Sequence, residues 1–286
     1  MYRFFSITFL LIFPLFSWTD GNTTTRPKPF GIKLTDSHYK DLFNGDVKVY
    51  ELKSDNYRYG HSVWMYRKSK RVKAKYFAHK DLQSGKSVYS KYEDWKQGKN
   101  LIMTCSGAFT TDAYGRSKPL GLTIDNGKMV NERIDEDMDG MVIVYATGGV
   151  VVSDIDEGNL YLASLKRKID PRDPFDKAEL VSWAKDEAAT IFQTQLLVYR
   201  NELRVEVEKA RTESAERRLL VLAQGREGVM HIVFNITQGV YLGDISKAIH
   251  EHLKDKGLNV IAMLNLDTGM YNIMDLYDKN GNSIDR

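Results

Sequence analysis

TCSGAFTTDAYGRSKPLGLTIDNGKMVN, residues 104–131, sets a strand end, a polar loop and a hairpin in one short stretch. The apolar run Leu101-Ile102-Met103 leads into the small residues Cys105, Ser106 and Gly107, the pattern of a buried strand whose end lets another group approach the backbone. A polar loop with Asp112, Gly115 and Arg116 follows. Leu120-Gly121-Leu122-Thr123-Ile124 then alternates as a strand does. Asp125-Asn126-Gly127 turns the chain into Lys128-Met129-Val130, because Asn and Gly tolerate positive φ. The expectation is a hairpin beside a pocket edge made of small residues.

On the N-terminal side, residues 47–52, 62–66 and 72–78 alternate with aromatic and β-branched residues, as half-buried strands do, and 81–97 reads as a short helix and loop. On the C-terminal side, Leu180, Val181, Ala184, Ala188 and Ile191 recur at helical spacing behind Asp173 or Asp176 as the cap. Strands are expected at 196–199 and 203–207 about the turn Arg200-Asn201-Glu202, and at 219–223 paired with 229–235. The charge-dense run 206–218 reads as a solvated loop or helix face. Asp244 is expected to start a helix with Ile245, Ile249 and Leu253 on one face and Gly257 at its end, before a strand at 260–266. Strands and helices in this order predict an α+β domain, a single mixed sheet with a few packed helices, and there is no internal repeat.

Five motifs in order resemble the phosphodiester glycosidase family, the group that includes the enzyme uncovering mannose 6-phosphate. They are CSGAF at 105–109, PLGL at 119–122 with DNGK at 125–128, MVIVYATGGVVVSDI at 141–155, Gln193-Thr194-Gln195, and AMLNLDTGMYN at 262–272. The resemblance runs from about Tyr76 to Leu276. It implies removal of a sugar from a glycosyl phosphodiester, which needs cations or backbone donors for phosphate and carboxylates for acid, base or nucleophile work. It implies Asp267 as the catalytic carboxylate and Arg218, with Arg217 as the alternative register, as the phosphate contact. Cys105, Ser106, Gly107, Gln193 and Gly269 would bind substrate. A divalent cation stays open as cofactor, and the implied partner is a glycosyl phosphodiester or a cell-envelope glycan. The chain departs from the family's pattern in carrying Cys105 for an Asn and in lacking glycines after Thr194 and Asp267, which narrows the pocket. A carbohydrate or phospho-glycan binding protein with impaired catalysis is therefore the alternative.

The length of 286 residues and a hydrophobic content of 42% suit one globular domain. With 41 basic and 38 acidic residues, the balance does not argue for a nucleic-acid partner. MYRFFSITFLLIFPLFSW at the start has one basic residue and an apolar run too short to span a bilayer, so it reads as a secretory signal. The expected organisation is a signal at 1–19, a linker at 20–35 and the domain at 36–286, in a secreted or periplasmic protein without a membrane span once the signal is removed. The single cysteine, Cys105, forbids an intramolecular disulfide and reads as a small buried residue before it reads as a nucleophile.

Three rival readings are weaker. Asp267-Thr268-Gly269 is the aspartic protease tripeptide, but one copy cannot supply two aspartates sharing a proton. His250 and His252 lack the spacing of four that zinc ligands use on a helix, and read as surface histidines. Asp135, Glu136, Asp137 and Asp139 lack the calcium-loop pattern and read as a solvated acidic turn.

Overall fold

The structure, a computed structural model, describes residues 32–55, 57–66, 72–78, 87–110, 119–157, 160–269 and 272–285. The expected signal, most of the linker, and the loop with Asp112, Gly115 and Arg116 lie outside the described residues. The main sheet has eight strands in the order β1 (Thr35–Leu42), β2 (Val47–Ser54), β3 (Tyr57–Tyr66), β15 (Gly228–Tyr241), β14 (Ser214–Gly225), β16 (Asn259–Leu266), β12 (Leu196–Tyr199) and β13 (Glu202–Leu203). All neighbours are antiparallel. A five-stranded sheet runs β6 (Lys128–Asn131), β5 (Thr123–Asp125), β11 (Thr190–Thr194), β7 (Gly140–Val144) and β8 (Val150–Asp154). A three-stranded sheet joins β18 (Ser283–Asp285), β17 (Met274–Tyr277) and β4 (Met103–Cys105), and β9 (Leu160–Leu162) pairs with β10 (Arg167–Ile169). Three helices complete the described residues: α1 (Val88–Lys96), α2 (Pro174–Asp186) and α3 (Leu242–Asp255).

The fold is a mixed α+β domain, but the expectation of a single sheet is corrected to several. The reason is visible in β7, where all five residues are buried, so both faces of its sheet must be covered. On one face of the main sheet, Ile245, Ile249 and Leu253 of α3 pack against Leu219, Val221 and Phe234. The other face is shared. At its β12–β16–β14 end, Leu222, Ala262 and Leu264 meet Val142, Val144 and Phe192 of the five-stranded sheet. At its β2–β3–β15 end, Val49, Val63 and Val233 meet Met274 and Leu276 of the three-stranded sheet. Beyond the five-stranded sheet, Leu180, Trp183 and Ala184 of α2 join Leu160, Leu162 and Ile169 in a further core.

The hairpin at the quoted stretch forms as expected: β5 and β6 meet across Asn126 and Gly127, with φ of 51° and 77°. Asp173 caps α2 by accepting from the backbone N–H groups of Phe175 and Asp176. Several boundaries move. The helix reading through Ala188 and Ile191 fails, because α2 ends at Asp186, Ala188 takes φ of 46° and Ile191 belongs to β11. The strand expected at 72–78 has no ladder partner, and the strand expected at 203–207 shrinks to β13. The helix expected to open at Asp244 opens at Leu242 behind Tyr241.

His250 and His252 are buried, contrary to the surface reading, because β1 and the turn after β12 cover the flanks of α3. His250 Nε2 lies 3.2 Å from Asn201 Oδ1, and His252 Nε2 lies 3.3 Å from Asp36 Oδ2. Lys256 donates to Asp36 Oδ1 at 2.9 Å and sits over the rings of Trp64 and Tyr50. This carboxylate thus fastens the first strand to the end of α3. Burial pushes the Asp36 carboxyl up, but the bonds from His252 and Lys256 outweigh it and hold it below its usual range. A depressed carboxylate stabilises the fold above its unfolded pKa of roughly 4, and that contribution is lost as pH falls below it. Asp36→Asn is expected to cost about 1–2 kcal/mol at neutral pH and to flatten the acid limb of the stability profile. Chemical denaturation between neutral pH and strong acid checks this; identical acid limbs for both proteins would contradict it.

Candidate functional site

Four strand ends separated widely in sequence converge beside Asp267. Asp267, just past β16, donates its backbone N–H to the carbonyl of Gly107, just past β4, at 2.8 Å. Ser106 donates its N–H to the Ile273 carbonyl at 2.9 Å, and the Ile273 N–H returns to Ser106 Oγ at 2.9 Å. The small-residue segment is therefore laced into the C-terminal one. Gly107 has no room for a side chain, since a Cβ there would lie 2.7 Å from the Tyr76 ring. Tyr76 stacks on Phe192 at 4.2 Å, and burial pushes its phenol up, with Asp125 and Asp267 adding to the effect.

Arg218 and its neighbour Arg217 diverge because adjacent strand residues point to opposite faces. Arg218 is only 2% exposed and lies in register with Leu266 on one side and Asn235 on the other. It donates to the Ile273 carbonyl at 2.9 Å, to Asn272 Oδ1 at 2.7 Å and to Asn235 Oδ1 at 3.1 Å. Burial pulls its guanidinium down, while Cys105, Glu216 and Asp267 act the other way. Glu216 also holds Asn272, accepting from its side-chain amide at 3.0 Å, and its carbonyl accepts from Thr268 Oγ1 at 2.9 Å. Arg218 acts as a strut: both Nη atoms donate to protein, while its buried Nε has no hydrogen-bond partner among the described residues. Cys105 lies beside it, half-buried, with its thiol pushed up by burial against the opposing pull of Arg218.

Arg217 lines an open cleft of about 430 Å³ together with Phe109, Asp137, Asp139, Gln195, Arg204, Thr212, Glu213 and Asn265. Its Nη2 donates to the Glu213 carbonyl at 2.8 Å, and no carboxylate pairs with it among the described residues. The floor is an amide pair, Asn265 donating to Gln195 Oε1 at 2.7 Å, with Asn265 only 3% exposed. Asp139 accepts from the Leu196 N–H at 3.0 Å; burial pushes its carboxyl up, and Asp154 and Asp156 add to the shift. The last three carboxylates have oxygens within 4.8 Å of one another and are the described residues that could hold a cation. Arg204 already serves part of that group, with Nε 3.4 Å from Asp154 Oδ2. Asp139 thus leaves the solvated acidic turn in which the sequence pattern had placed it.

Gln193 is fully buried and its side chain is spent on backbone. Its Oε1 accepts from Leu122 at 2.5 Å and Asp135 at 3.2 Å, and its amide donates to the carbonyls of Met138 at 2.7 Å and Asp135 at 3.1 Å. Cys105, Ser106, Gly107, Arg218, Asp267 and Gly269 are brought together, while Gln193 braces the turn behind them. Asp267 is half-buried and its Oδ1 accepts from the Gly269 N–H at 2.7 Å. The cleft residues Asn265, Gln195 and Asp139 were not singled out as binding groups in the sequence. The available signal was period two: Asn265 lies two residues before Asp267 on the same strand edge.

Arg218→Met is expected to destabilise by about 2–4 kcal/mol, because it removes three hydrogen bonds made by a guanidinium only 2% exposed, whereas Arg217→Ala costs under about 1 kcal/mol. Paired denaturation curves decide; equal losses at the two positions would contradict the division between strut and cleft residue.

No family model matches this chain, and no curated protein matches it. Among solved structures, it is similar to the catalytic domain of zebrafish N-acetylglucosamine-1-phosphodiester alpha-N-acetylglucosaminidase, auto-inhibited by its pro-peptide. The identity is 13%, 89% of this chain and 75% of that chain are covered, and the TM-score is 0.45. It is also similar to a hypothetical protein from Synechocystis at 10% identity, covering 90% of this chain and 66% of that one, with a TM-score of 0.45. Among the described residues, no helix is long and apolar enough to cross a membrane.

Proposed function

We propose that this chain is an exported hydrolase of phosphodiester glycosidase type, secreted or periplasmic, that releases a sugar from a glycosyl phosphodiester. The observation that carries the reading is the convergence of motifs far apart in sequence. The small-residue end at 105–107, Arg218 and Asp267 are joined through one set of hydrogen bonds, and the cleft lined by Arg217 and by Asn265, two residues before Asp267, holds carboxylates, amides and a guanidinium without a carboxylate partner among the described residues. In this reading Asp267 is the carboxylate that meets the positive charge developing at the anomeric carbon. Arg217 takes the phosphate through its planar fork, in place of Arg218. Gln195 and Asn265 offer amide groups to sugar hydroxyls, and Phe109 offers an apolar ring edge. Asp139, whose carboxyl is raised by burial and like charge, is suited to proton transfer. A phosphate monoester leaves readily as an anion, so the larger demand falls on the cation that receives it.

The second reading is a phospho-glycan binding protein with impaired catalysis. It is favoured by Asp267 Oδ1 already accepting from Gly269, and by Thr268, where related motifs have glycine, being tied to the Glu216 carbonyl. The two readings part on turnover. With α-linked sugar 1-phosphodiesters as substrates, with and without divalent metal, Asp267→Asn should abolish sugar release while leaving the fold intact. Arg217→Ala should lower kcat/KM by about a hundredfold or more. Glycan binding by the parent chain with no turnover on any of these substrates would favour the binding reading.

A further inference from the structure

Charge along this chain is segregated. Residues 67–99 carry eleven Lys and Arg against three Asp and Glu, whereas the whole chain is nearly balanced at 41 against 38. The described part of that segment also concentrates aromatic rings. Helix α1 buries none of its residues, and Tyr89 is 64% exposed. Phe77 meets Trp95 edge-on at 5.4 Å and Tyr92 at 6.3 Å. Lysines ride on this cluster: Lys75 Nζ lies 5.8 Å from the Phe77 ring centre, Lys96 5.2 Å from Tyr92 and Lys99 4.9 Å from Trp95. Lys96 is neutralised by Glu93 at 2.6 Å and Lys91 by Asp125 at 3.1 Å. Lys75 and Lys99 have no carboxylate partner among the described residues.

This surface is joined to the candidate site through β4. Tyr92 Oη lies 2.8 Å from Thr104 Oγ1 on β4, the strand whose end carries Cys105, Ser106 and Gly107. Tyr76 and Phe77 are neighbours, yet Tyr76 touches Gly107 and Phe192 while Phe77 turns to α1. We infer that the aromatic and lysine face formed by α1 and Phe77 is a docking surface for an anionic glycan strand, a phosphate-bearing polysaccharide whose end reaches the cleft. Ring faces stack on the apolar faces of sugars, and the ammonium groups of Lys75 and of Lys99, which also donates to the Trp95 carbonyl, answer the repeating negative charge without a carboxylate partner among the described residues. The inference rests on the reading of the cleft as a glycosyl phosphodiester site and extends it to the substrate class: a polymer, not a small diester.

The test uses the full mature chain carrying Asp267→Asn, so that binding is read without turnover, and a short oligomer of α-linked hexose 1-phosphate as probe. Titration calorimetry is expected to show binding that weakens about tenfold or more in Trp95→Ala and in the Lys75→Glu, Lys99→Glu double variant, and that falls with rising salt. In the chain with Asp267 intact, the same changes should leave release of sugar from a small phosphodiester unaltered, which separates failure of the docking surface from failure of the cleft. Unchanged affinity in these variants, or no binding by the parent chain, overturns the inference. Equal affinity for sugar-free polyphosphate, or tighter binding of single-stranded nucleic acid or of anionic vesicles, also overturns it by giving the surface a different occupant.

Discussion

A guanidinium withdrawn from water needs acceptors in place of it, and Arg218 imposes that demand where three parts of the chain join. Its partners come from β15 and from the segment just before β17, so satisfying one cation draws the central sheet and the C-terminal segment together. The Ile273 carbonyl that receives Arg218 also receives Ser106, which brings in the end of β4. Gly107 then accepts from Asp267, and the carboxylate of greatest interest is set beside the pocket edge. Leaving such a cation unpaired costs several kcal/mol, about as much as a large core truncation, so the strand ends are held far more firmly than surface loops are.

Two adjacent arginines thereby take different tasks. The β-bulge between Ala215 and Arg217 sets the register of β14 against β15, and the alternation of the strand then sends one guanidinium inward and the other into the cleft. In sequence the pair is symmetric and sits in a charged run, which is why Arg218 was read as a phosphate contact or as part of a solvated face, and not as a buried strut. The same limit applies to His250 and His252: the stripe of Ile245, Ile249 and Leu253 shows which face of α3 is innermost, but not that β1 and the turn after β12 cover its flanks.

What was legible was local. Asn126 and Gly127 announced a turn that needs positive φ, Asp173 announced a helix start, and short apolar runs marked the centres of β14, β15 and β16. What was not legible depended on partners elsewhere. Ala184, Ala188 and Ile191 match a helical period, yet the left-handed turn at Ala188 lets the chain enter β11, whose ladder with β7 holds Ile191. Residues 72–78 alternate like a strand but join no ladder, bonding instead at Ala74 to the Gly148 carbonyl, and they carry Tyr76 to Gly107. The division into several sheets follows from burial on both faces of β7, which a reading of single strands cannot supply. For the site, the glycine-bearing motifs located the strand ends, while the cleft residues Gln195, Asn265 and Asp139 emerged only when β11 passed from one sheet into the next.

In the proposed function, the cleft that Asn265 lines two residues before Asp267 receives a glycosyl phosphodiester with its phosphate on Arg217. A crystal structure of the Asp267→Asn chain with an uncleaved α-linked sugar 1-phosphodiester tests it most directly. The phosphate is expected on the Arg217 guanidinium, sugar hydroxyls on Gln195 and Asn265, and the anomeric carbon beside residue 267. A diester bound elsewhere, or one seated in the cleft with Arg217 uncontacted, would contradict it.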